Sequence, residues 1–227
     1  MRPEELRSAR QAARLTQQQA AARLGVSQPY LALMERGRRP VTAQFRSKIV
    51  KLYGLGPTAL PLETGFLDSW NSASLASALA SLGYPGFRYL RGGRRRNPAV
   101  VVLAAVAASD VEVRVIEALP WLLVEYSDLD WDWLTRESKL RDVQNRLGFL
   151  VTLARNVVEK RGDKVVEGRL RQVEEALDRA RLVRKDTLCQ ASLSDAERRW
   201  LRRTRSAAAR HWNLLTDLDS QPLPYAA

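Results

Sequence analysis

The chain of 227 residues contains one cysteine, Cys189, and one histidine, His211. A disulfide needs two cysteines, and a zinc site within one chain needs several metal-binding side chains at short spacings. The sequence therefore predicts neither a disulfide nor a metal site.

Long apolar runs are also missing. No segment approaches the roughly eighteen apolar residues of a membrane span, and the stretch from Met1 to Glu5 lacks the apolar core of a signal peptide. We therefore expect a cytoplasmic protein with no membrane partner. Because 45% of the residues are apolar, the chain can still bury a packed interior.

Motifs of catalysis and nucleotide binding are absent from the sequence as well. It has no HExxH zinc-protease motif, no P-loop and no GxGxxG fingerprint. A self-cleaving repressor would need a mostly β catalytic domain, whereas the signals here are helical. We therefore predict that the protein is not an enzyme and uses no cofactor.

Acidic residues are scarce where basic residues are concentrated. Residues 1–55 carry eleven Lys/Arg against three Asp/Glu, a net charge of +8, whereas residues 111–227 carry twenty-one against nineteen, a net of +2. The segment between them has five arginines, which are Arg88, Arg91, Arg94, Arg95 and Arg96. Nucleic-acid surfaces concentrate positive charge in this way, so the first fifty residues and this connector are the candidates for one.

Helix-capping signals mark the basic segment. Thr16 with Gln19 forms a capping box that starts a helix, and Gly25 supplies the positive φ that ends it. Ser27 caps the next helix, which ends at Gly37. Two short helices joined by a tight glycine turn are typical of a helix-turn-helix.

Two further helices, predicted over about 3–14 and 42–53, flank this pair, and Thr42 can cap the second of them. Apolar periodicity directs one set of side chains inward: Leu15, Ala20, Leu24, Val26, Leu31 and Met34. The opposite face of the third helix is left free to enter a major groove, with Gln28, Pro29, Ala32 and Leu33 on it.

Over residues 5–55 the chain resembles the Xre/Cro-type helix-turn-helix regulators. Glycine, caps and apolar positions agree in register with that family's spacing. The matching residues are Arg10, Thr16-Gln17, Leu24-Gly25-Val26-Ser27 and Glu35-Arg36-Gly37-Arg38. The alternative is a structural helical hairpin with a basic solvated face.

The resemblance implies that the third helix reads DNA bases. Its base-facing residues would be Ser27, Gln28, Pro29 and Leu33, and Gln28 can make a bidentate contact to adenine. Pro29 and Leu33 would contact thymine methyl groups or respond to groove shape. Tyr30 would donate to a phosphate or pack on the domain surface.

Residues outside the third helix would hold the DNA backbone. Gln17, at the N-terminus of the second helix, would meet a phosphate, because free N–H groups and the helix dipole favour an anion there. Arg38 and Arg39, in the following loop, would bind the neighbouring phosphate strand. The resemblance also pairs Arg10 with Glu35, which ties the first helix to the end of the third.

The remainder of the chain also gives helix signals, so the predicted fold is all-α. We expect a four- or five-helix Cro-like domain over 1–60, a connector helix with an arginine-rich hinge over 61–97, and a helical bundle over 98–220. The predicted helices beyond the first four span about 67–82, 98–108, 110–126, 129–161, 163–188 and 194–217, and the tail at 221–225 is irregular.

Three of the six tryptophans lie in the acidic segment 121–134. Aromatic residues at helical spacing usually pack in a core, and the alternative is a docking surface for a protein partner. Trp200 and Trp212 leave the same two alternatives. The candidate docking residues are Asp130, Trp131, Asp132 and Trp133.

Arginines between 198 and 210 form a second basic patch. Because acids lie nearby, we interpret it as a solvated helix face in preference to a second DNA contact.

Short strings within 116–131 and 144–149 resemble the helical C-terminal half of Xre-type regulators that accompany toxin genes. This resemblance implies an antitoxin that represses its own operon through residues 1–55 and captures a toxin through the helical half. Some of the toxins that accompany such regulators are nucleotidyltransferase-like. Since one reader covers few base pairs, a homodimer on a palindromic operator is expected. The alternatives are a stand-alone regulator that senses a small ligand and an RNA-binding or scaffold protein without sequence readout.

Overall fold

A computed structural model describes residues 1–65, 69–90 and 93–219 of the chain. Four helices form the N-terminal part. They are α1 (Pro3–Ala12), α2 (Gln17–Leu24), α3 (Gln28–Glu35) and α4 (Ala43–Tyr53), followed by a 3-10 turn at Pro57–Ala59. Together they make one compact unit, Met1–Glu63. Its core consists of Leu6, Ala20, Ala21, Leu24, Leu31, Met34, Ile49 and Tyr53.

The helix ends in this unit are set by the predicted caps. The hydroxyl oxygens of Thr16, Ser27 and Thr42 each accept a hydrogen bond from a backbone N–H of the helix that follows. Gly25 ends α2 in the left-handed region, at a φ of 73°. The predicted first helix is two residues too long, because Arg14 has a φ of 54° and breaks it.

The second compact unit is Thr64–Ala227, and its described part is helical apart from one short ladder. The all-α prediction is therefore confirmed. The elements are α5 (Ser72–Ser81), a 3-10 turn (Pro85–Phe87), α6 (Pro98–Ala107), α7 (Val113–Glu125), α8 (Trp131–Leu140), α9 (Gln144–Arg161), α10 (Lys164–Asp178), β1 (Asp186–Thr187), α11 (Asp195–Thr204), α12 (Ala207–His211) and β2 (Leu214–Leu215).

Several predicted helix boundaries in this unit are wrong. The helix expected over 129–161 is two helices, α8 and α9, separated at Asp142, which has a φ of 55°. The one expected over 163–188 ends at Asp178, and the one expected over 194–217 is divided into α11, α12 and β2. The strands β1 and β2 pair in parallel, with Asp186 opposite Leu214.

Two of the predicted segments are described only in part. The helix expected over 67–82 begins at Ser72 behind an Asn71 cap, and residues 66–68 lie outside the described residues. Arg91 and Gly92 of the predicted hinge, and the predicted irregular tail at 221–225, also lie outside them. No helix among the described residues is long and apolar enough to cross a membrane.

The centre of the second unit is α9, which packs against α7, α8, α10 and α12. Its residues from Gln144 to Ala154 are all buried, Arg146 included. The Arg146 guanidinium donates to Asp186 at 2.8 Å and to the carbonyl oxygens of Val106 and Ala108, each at 2.9 Å. This arginine therefore ties β1 to the end of α6 through buried hydrogen bonds.

Candidate nucleic-acid interface

The turn between α2 and α3 determines which residues of the first unit face solvent. Thr16 and Gln19 form both hydrogen bonds of a capping box. The Gln19 N–H donates to Thr16 Oγ1 at 3.2 Å, and the Thr16 N–H donates to Gln19 Oε1 at 3.0 Å. At the start of α3, the Tyr30 N–H donates to Ser27 Oγ at 3.3 Å. These bonds fix the residue at which each of the two helices begins.

The first turn of α3 is open to solvent. Ser27, Gln28, Pro29 and Tyr30 are exposed, and Leu33, one turn further along, is half-buried. Ala32 is buried, so its predicted place on the outer face is wrong. A methyl side chain is small enough to pack inward at that position, and apolar periodicity alone does not distinguish the two faces there.

A chain of four side chains runs from the buried core to this exposed turn. Arg10 donates to Glu35 through Nε at 2.6 Å and through Nη2 at 3.1 Å. Gln17 Nε2 donates to the second oxygen of Glu35 at 2.8 Å, and Gln28 Nε2 donates to Gln17 Oε1 at 2.7 Å. The amide of Gln28 is thus held through Gln17 by a buried ion pair.

The Arg10–Glu35 ion pair is almost fully enclosed. The side chains of Arg10 and Glu35 are 10% and 2% exposed. Burial alone would make ionisation of Glu35 harder, but the hydrogen bonds from Arg10 and Gln17 outweigh it and lower the pKa of the Glu35 carboxyl. The charged pair therefore persists at neutral pH.

Tyr53 is a residue of this site that the sequence analysis missed. Its ring lies in the core, and its buried hydroxyl has no hydrogen-bond partner within the described residues. Burial, together with the nearby negative charge of Glu35, raises the pKa of Tyr53 to about 12. A tyrosine at the end of an apolar helix face gives no sequence signal that separates it from an ordinary core aromatic.

The predicted phosphate-binding residues lie near opposite ends of α3: Gln17 contacts Gln28 at its start, and Arg38 and Arg39 follow its end. Gln17 begins α2, whereas Arg38 and Arg39 are exposed just after Gly37, whose φ is 73°. Neither arginine makes an ion pair within the described residues. Their charges are consequently available to an anion.

The tryptophan-rich acidic segment lies in the second unit and borders a groove. Asp130 caps α8 by accepting from the Trp133 N–H at 3.0 Å, and Trp131 Nε1 donates to the Ser127 carbonyl oxygen at 3.0 Å. Asp132 is exposed, and both tryptophans are half-buried. The groove, of about 740 Å³, lies between α8 and α10, and Trp131, Asp130 and Asp132 line it along with Val173 and Arg169.

The other two tryptophans named from the sequence have opposite environments. Trp212 is completely buried, and Trp200 is 54% exposed. Trp212 is therefore a core residue, whereas Trp200 is not buried in the core, and for Trp131 and Trp133 both alternatives stay open.

Comparison with known proteins agrees with this geometry. Residues 4–62 match the family model described as a helix-turn-helix domain. The N-terminal segment is therefore similar to a helix-turn-helix domain, as its residues predicted.

Two curated relatives agree with the family match. Two uncharacterised HTH-type transcriptional regulators, from two strains of Mycobacterium tuberculosis, are each 34% identical to this chain over 74 residues. The match covers 33% of this chain and 53% of each relative, so the chain spans about half the length of the curated relatives it matches. No solved structure matches the chain.

Proposed function

We propose that this chain is a sequence-specific DNA-binding regulator of transcription, with residues 1–55 bound to double-stranded operator DNA. The observation that carries the proposal is the state of the Gln28 amide. One of its two N–H groups is used by Gln17, which leaves one N–H and the Oε1 acceptor available on an exposed side chain. That donor and acceptor pair is the one that binds adenine through N6 and N7.

The surroundings of Gln28 favour DNA as its ligand. Residues 1–55 have a net charge of +8, and the unpaired Arg38 and Arg39 follow α3 closely in the chain. In this proposal they bind phosphates, while Gln17 contacts the backbone beside the N-terminus of α2. The surface of α3 that faces the bases takes its shape from Pro29, Tyr30 and Leu33, and Ser27 lies at the edge of this surface.

Selection from a random pool of DNA duplexes tests this proposal. We expect the full chain to enrich one motif with an invariant adenine, and Gln28→Ala to lose the preference at that base by about 5- to 150-fold, which corresponds to about 1–3 kcal/mol. Gln44→Ala, an exposed glutamine on α4, is the matched control and should select the same motif as the wild type. Enrichment of no motif, or an unchanged motif with Gln28→Ala, would contradict base reading by Gln28.

At a finer level, we propose a cytoplasmic repressor that acts as a homodimer on a palindrome. A single α3 covers few base pairs, and two copies one helical turn apart provide useful affinity. Analytical ultracentrifugation of the chain on a palindromic duplex that carries the selected motif tests this. Two chains per duplex are expected, and a single bound chain at micromolar concentration would contradict it.

For the second unit we propose capture of a protein toxin, which makes the chain the antitoxin of its operon. The support is the groove between α8 and α10, whose rim carries Trp131 and the acidic Asp130 and Asp132. Co-expression with the protein encoded by the adjacent gene should give a complex that Trp131→Ala weakens.

The alternatives predict other outcomes. If calorimetry shows that the groove binds a small molecule instead, the chain is a stand-alone regulator that senses a ligand. The scaffold alternative predicts no enriched motif in the selection.

A further inference from the structure

Six arginines and no acidic residue occur between residues 198 and 216, although residues 111–227 as a whole carry a net charge of only +2. Two of the six have structural partners. Arg198 donates to the carbonyl oxygens of Leu193 and Ala191 at 2.9 and 2.7 Å, and Arg205 donates to that of Leu214 at 3.1 Å. These two arginines link α11 by hydrogen bonds to the segment before it and to β2.

The other four arginines are exposed on α11 and α12 and have neither an ion pair nor a side-chain hydrogen bond within the described part of the chain. The neighbouring helices are different. Arg155 on α9 pairs with Glu174 at 2.6 Å, and Arg171 on α10 pairs with Glu167 at 2.6 Å. The four unpaired arginines are Arg199, Arg202, Arg203 and Arg210, and we call them, with Trp200, the α11 surface.

Trp200 lies on the solvent side of the same helix. It is 54% exposed, and its indole N–H has no acceptor within the described residues. A large aromatic side chain in water is unfavourable relative to a buried one, and at binding surfaces tryptophan supplies contact area and one donor. Arg199 precedes Trp200 by one residue on α11, and Arg203 follows it by three. Two cations and an amphipathic ring therefore share one exposed side of the helix.

We propose that the α11 surface binds the phosphate backbone of duplex DNA, as a second contact that lies outside the helix-turn-helix domain. This replaces the solvated helix face expected from the sequence, because the acids near these arginines in the chain do not pair with them. Every basic side chain in the segment is arginine, whose planar fork of donors matches phosphate oxygens. Arg199 and Arg203 are four residues apart, or about 6 Å along the helix. This spacing lets one strand contact both side chains, since its phosphates rise by about 3.4 Å per nucleotide.

The chemistry of α11 disfavours a lipid surface. A helix that lies on a membrane buries a continuous apolar face, whereas Trp200 is the one large apolar side chain that α11 exposes among the described residues.

A contact to the DNA backbone carries no sequence information but adds affinity. Because both units belong to one chain, the second contact forms at high effective concentration once the first is made.

The test is the salt dependence of binding by the full chain to a duplex that lacks the selected motif. We expect Arg199→Gln/Arg203→Gln to make the slope of log affinity against log salt shallower by about 1.8, since each phosphate contact contributes about 0.9. The matched control is Arg114→Gln/Lys160→Gln, which removes the same charge from exposed residues of α7 and α9 and should leave the slope close to that of the wild type. Thermal melting of both variants establishes that they are folded.

Three results would overturn the proposal. Equal slopes for the wild type and the α11 variant would mean that these arginines touch no phosphate. Equal changes in both double variants would mean that net charge alone is responsible. Tighter binding to single-stranded RNA or DNA than to duplex, abolished by Trp200→Ala, would assign the surface to base stacking on a single strand. Because the duplex carries no motif, failure of base reading by Gln28 is detected separately, in the selection experiment.

Discussion

The Gln28 amide donates to Gln17 Oε1 at 2.7 Å, and the Gln17 amide in turn donates to Glu35 Oε2 at 2.8 Å. Gln28 lies on the exposed turn, whereas Glu35 is buried. The rotamer of an exposed glutamine is ordinarily free, and ordering it on binding has an entropic cost. The hydrogen-bonded chain reduces that cost, because Gln28 is oriented before any ligand arrives.

Gln17→Ala should therefore weaken sequence-specific binding even if Gln17 touches no base. Loss of one hydrogen bond of about 1 kcal/mol corresponds to about fivefold in affinity for the selected motif. Binding to the selected and a scrambled duplex, measured by fluorescence anisotropy, gives the comparison. Gln18→Ala, one residue further along and exposed, should change neither. The proposed phosphate contact of Gln17 weakens binding to both duplexes alike, so the positioning role is measured by the additional loss on the selected motif. An equal loss on both duplexes would leave Gln17 with the phosphate contact alone.

Glu35→Ala should destabilise the first unit by about 3–5 kcal/mol, because it leaves the Arg10 guanidinium buried without its partner. All six tryptophans lie in the second unit. Urea unfolding followed by circular dichroism, with tryptophan fluorescence as the reference for the second unit, therefore separates the two. Glu4→Ala, an exposed carboxylate on α1, should change stability by less than about 0.5 kcal/mol. A similarly small effect of Glu35→Ala would mean that water reaches the pair.

The stability of the first unit should also fall in acid. The pKa of Glu35 is lowered in the folded protein from its usual value of 4.5. A group whose folded pKa is below its unfolded pKa contributes stability at any pH above 4.5, and this contribution is lost as the pH falls through the folded value. Urea titrations at a series of acidic pH values measure the loss.

The matched variant for this acid dependence is Arg10→Met/Glu35→Leu, which replaces the ion pair with apolar side chains. It should remove the contribution of Glu35 to the acid dependence and retain that of the exposed carboxylates. If the wild type and this variant lose stability in parallel below pH 4.5, the ion pair is not the source of the acid sensitivity.

The first unit was predictable from sequence because its boundaries depend on local chemistry. Thr16, Ser27 and Thr42 cap helices in the structure as their side chains predict, and Gly25 adopts the positive φ that only glycine adopts freely. The hydrogen bond between Gln17 and Gln28 was not predictable in the same way. It depends on how the N-termini of two helices meet, which is a property of tertiary packing.

The second unit was predicted less well because the breaks that the prediction missed carry no glycine or proline. The chain turns at Asp142, Cys189 and Asn213, with φ values of 55°, 55° and 54°. Asp and Asn tolerate this region, but they also occur within helices, so neither is a reliable stop signal. At Cys189 tertiary contacts hold the turn, since its thiol donates to the Ala105 carbonyl oxygen at 3.2 Å.

Gly148 shows how closely the centre of the second unit is packed. A Cβ at this position would lie 2.4 Å from Trp212 Cη2 and 2.6 Å from Cζ2. Trp212 has no room to move, because it is completely buried and its Nε1 donates to Thr152 Oγ1 at 2.8 Å. A single methyl group on α9 therefore forces a shift of the indole ring or of the helix.

Gly148→Ala should accordingly destabilise the second unit by at least about 1–3 kcal/mol, the usual cost of overpacking. Tryptophan fluorescence during urea unfolding measures this, since the tryptophans report on that unit. Gly168→Ala on α10 is the matched control, because its Cβ would meet no atom within 4 Å. Without a clash, the higher helix propensity of alanine should stabilise the protein by about 0.5–1 kcal/mol. Changes of opposite sign in the free energy of unfolding, for the same Gly→Ala substitution at the two positions, isolate the contact with Trp212. A stabilising effect at both positions would show that the indole ring is not held in place.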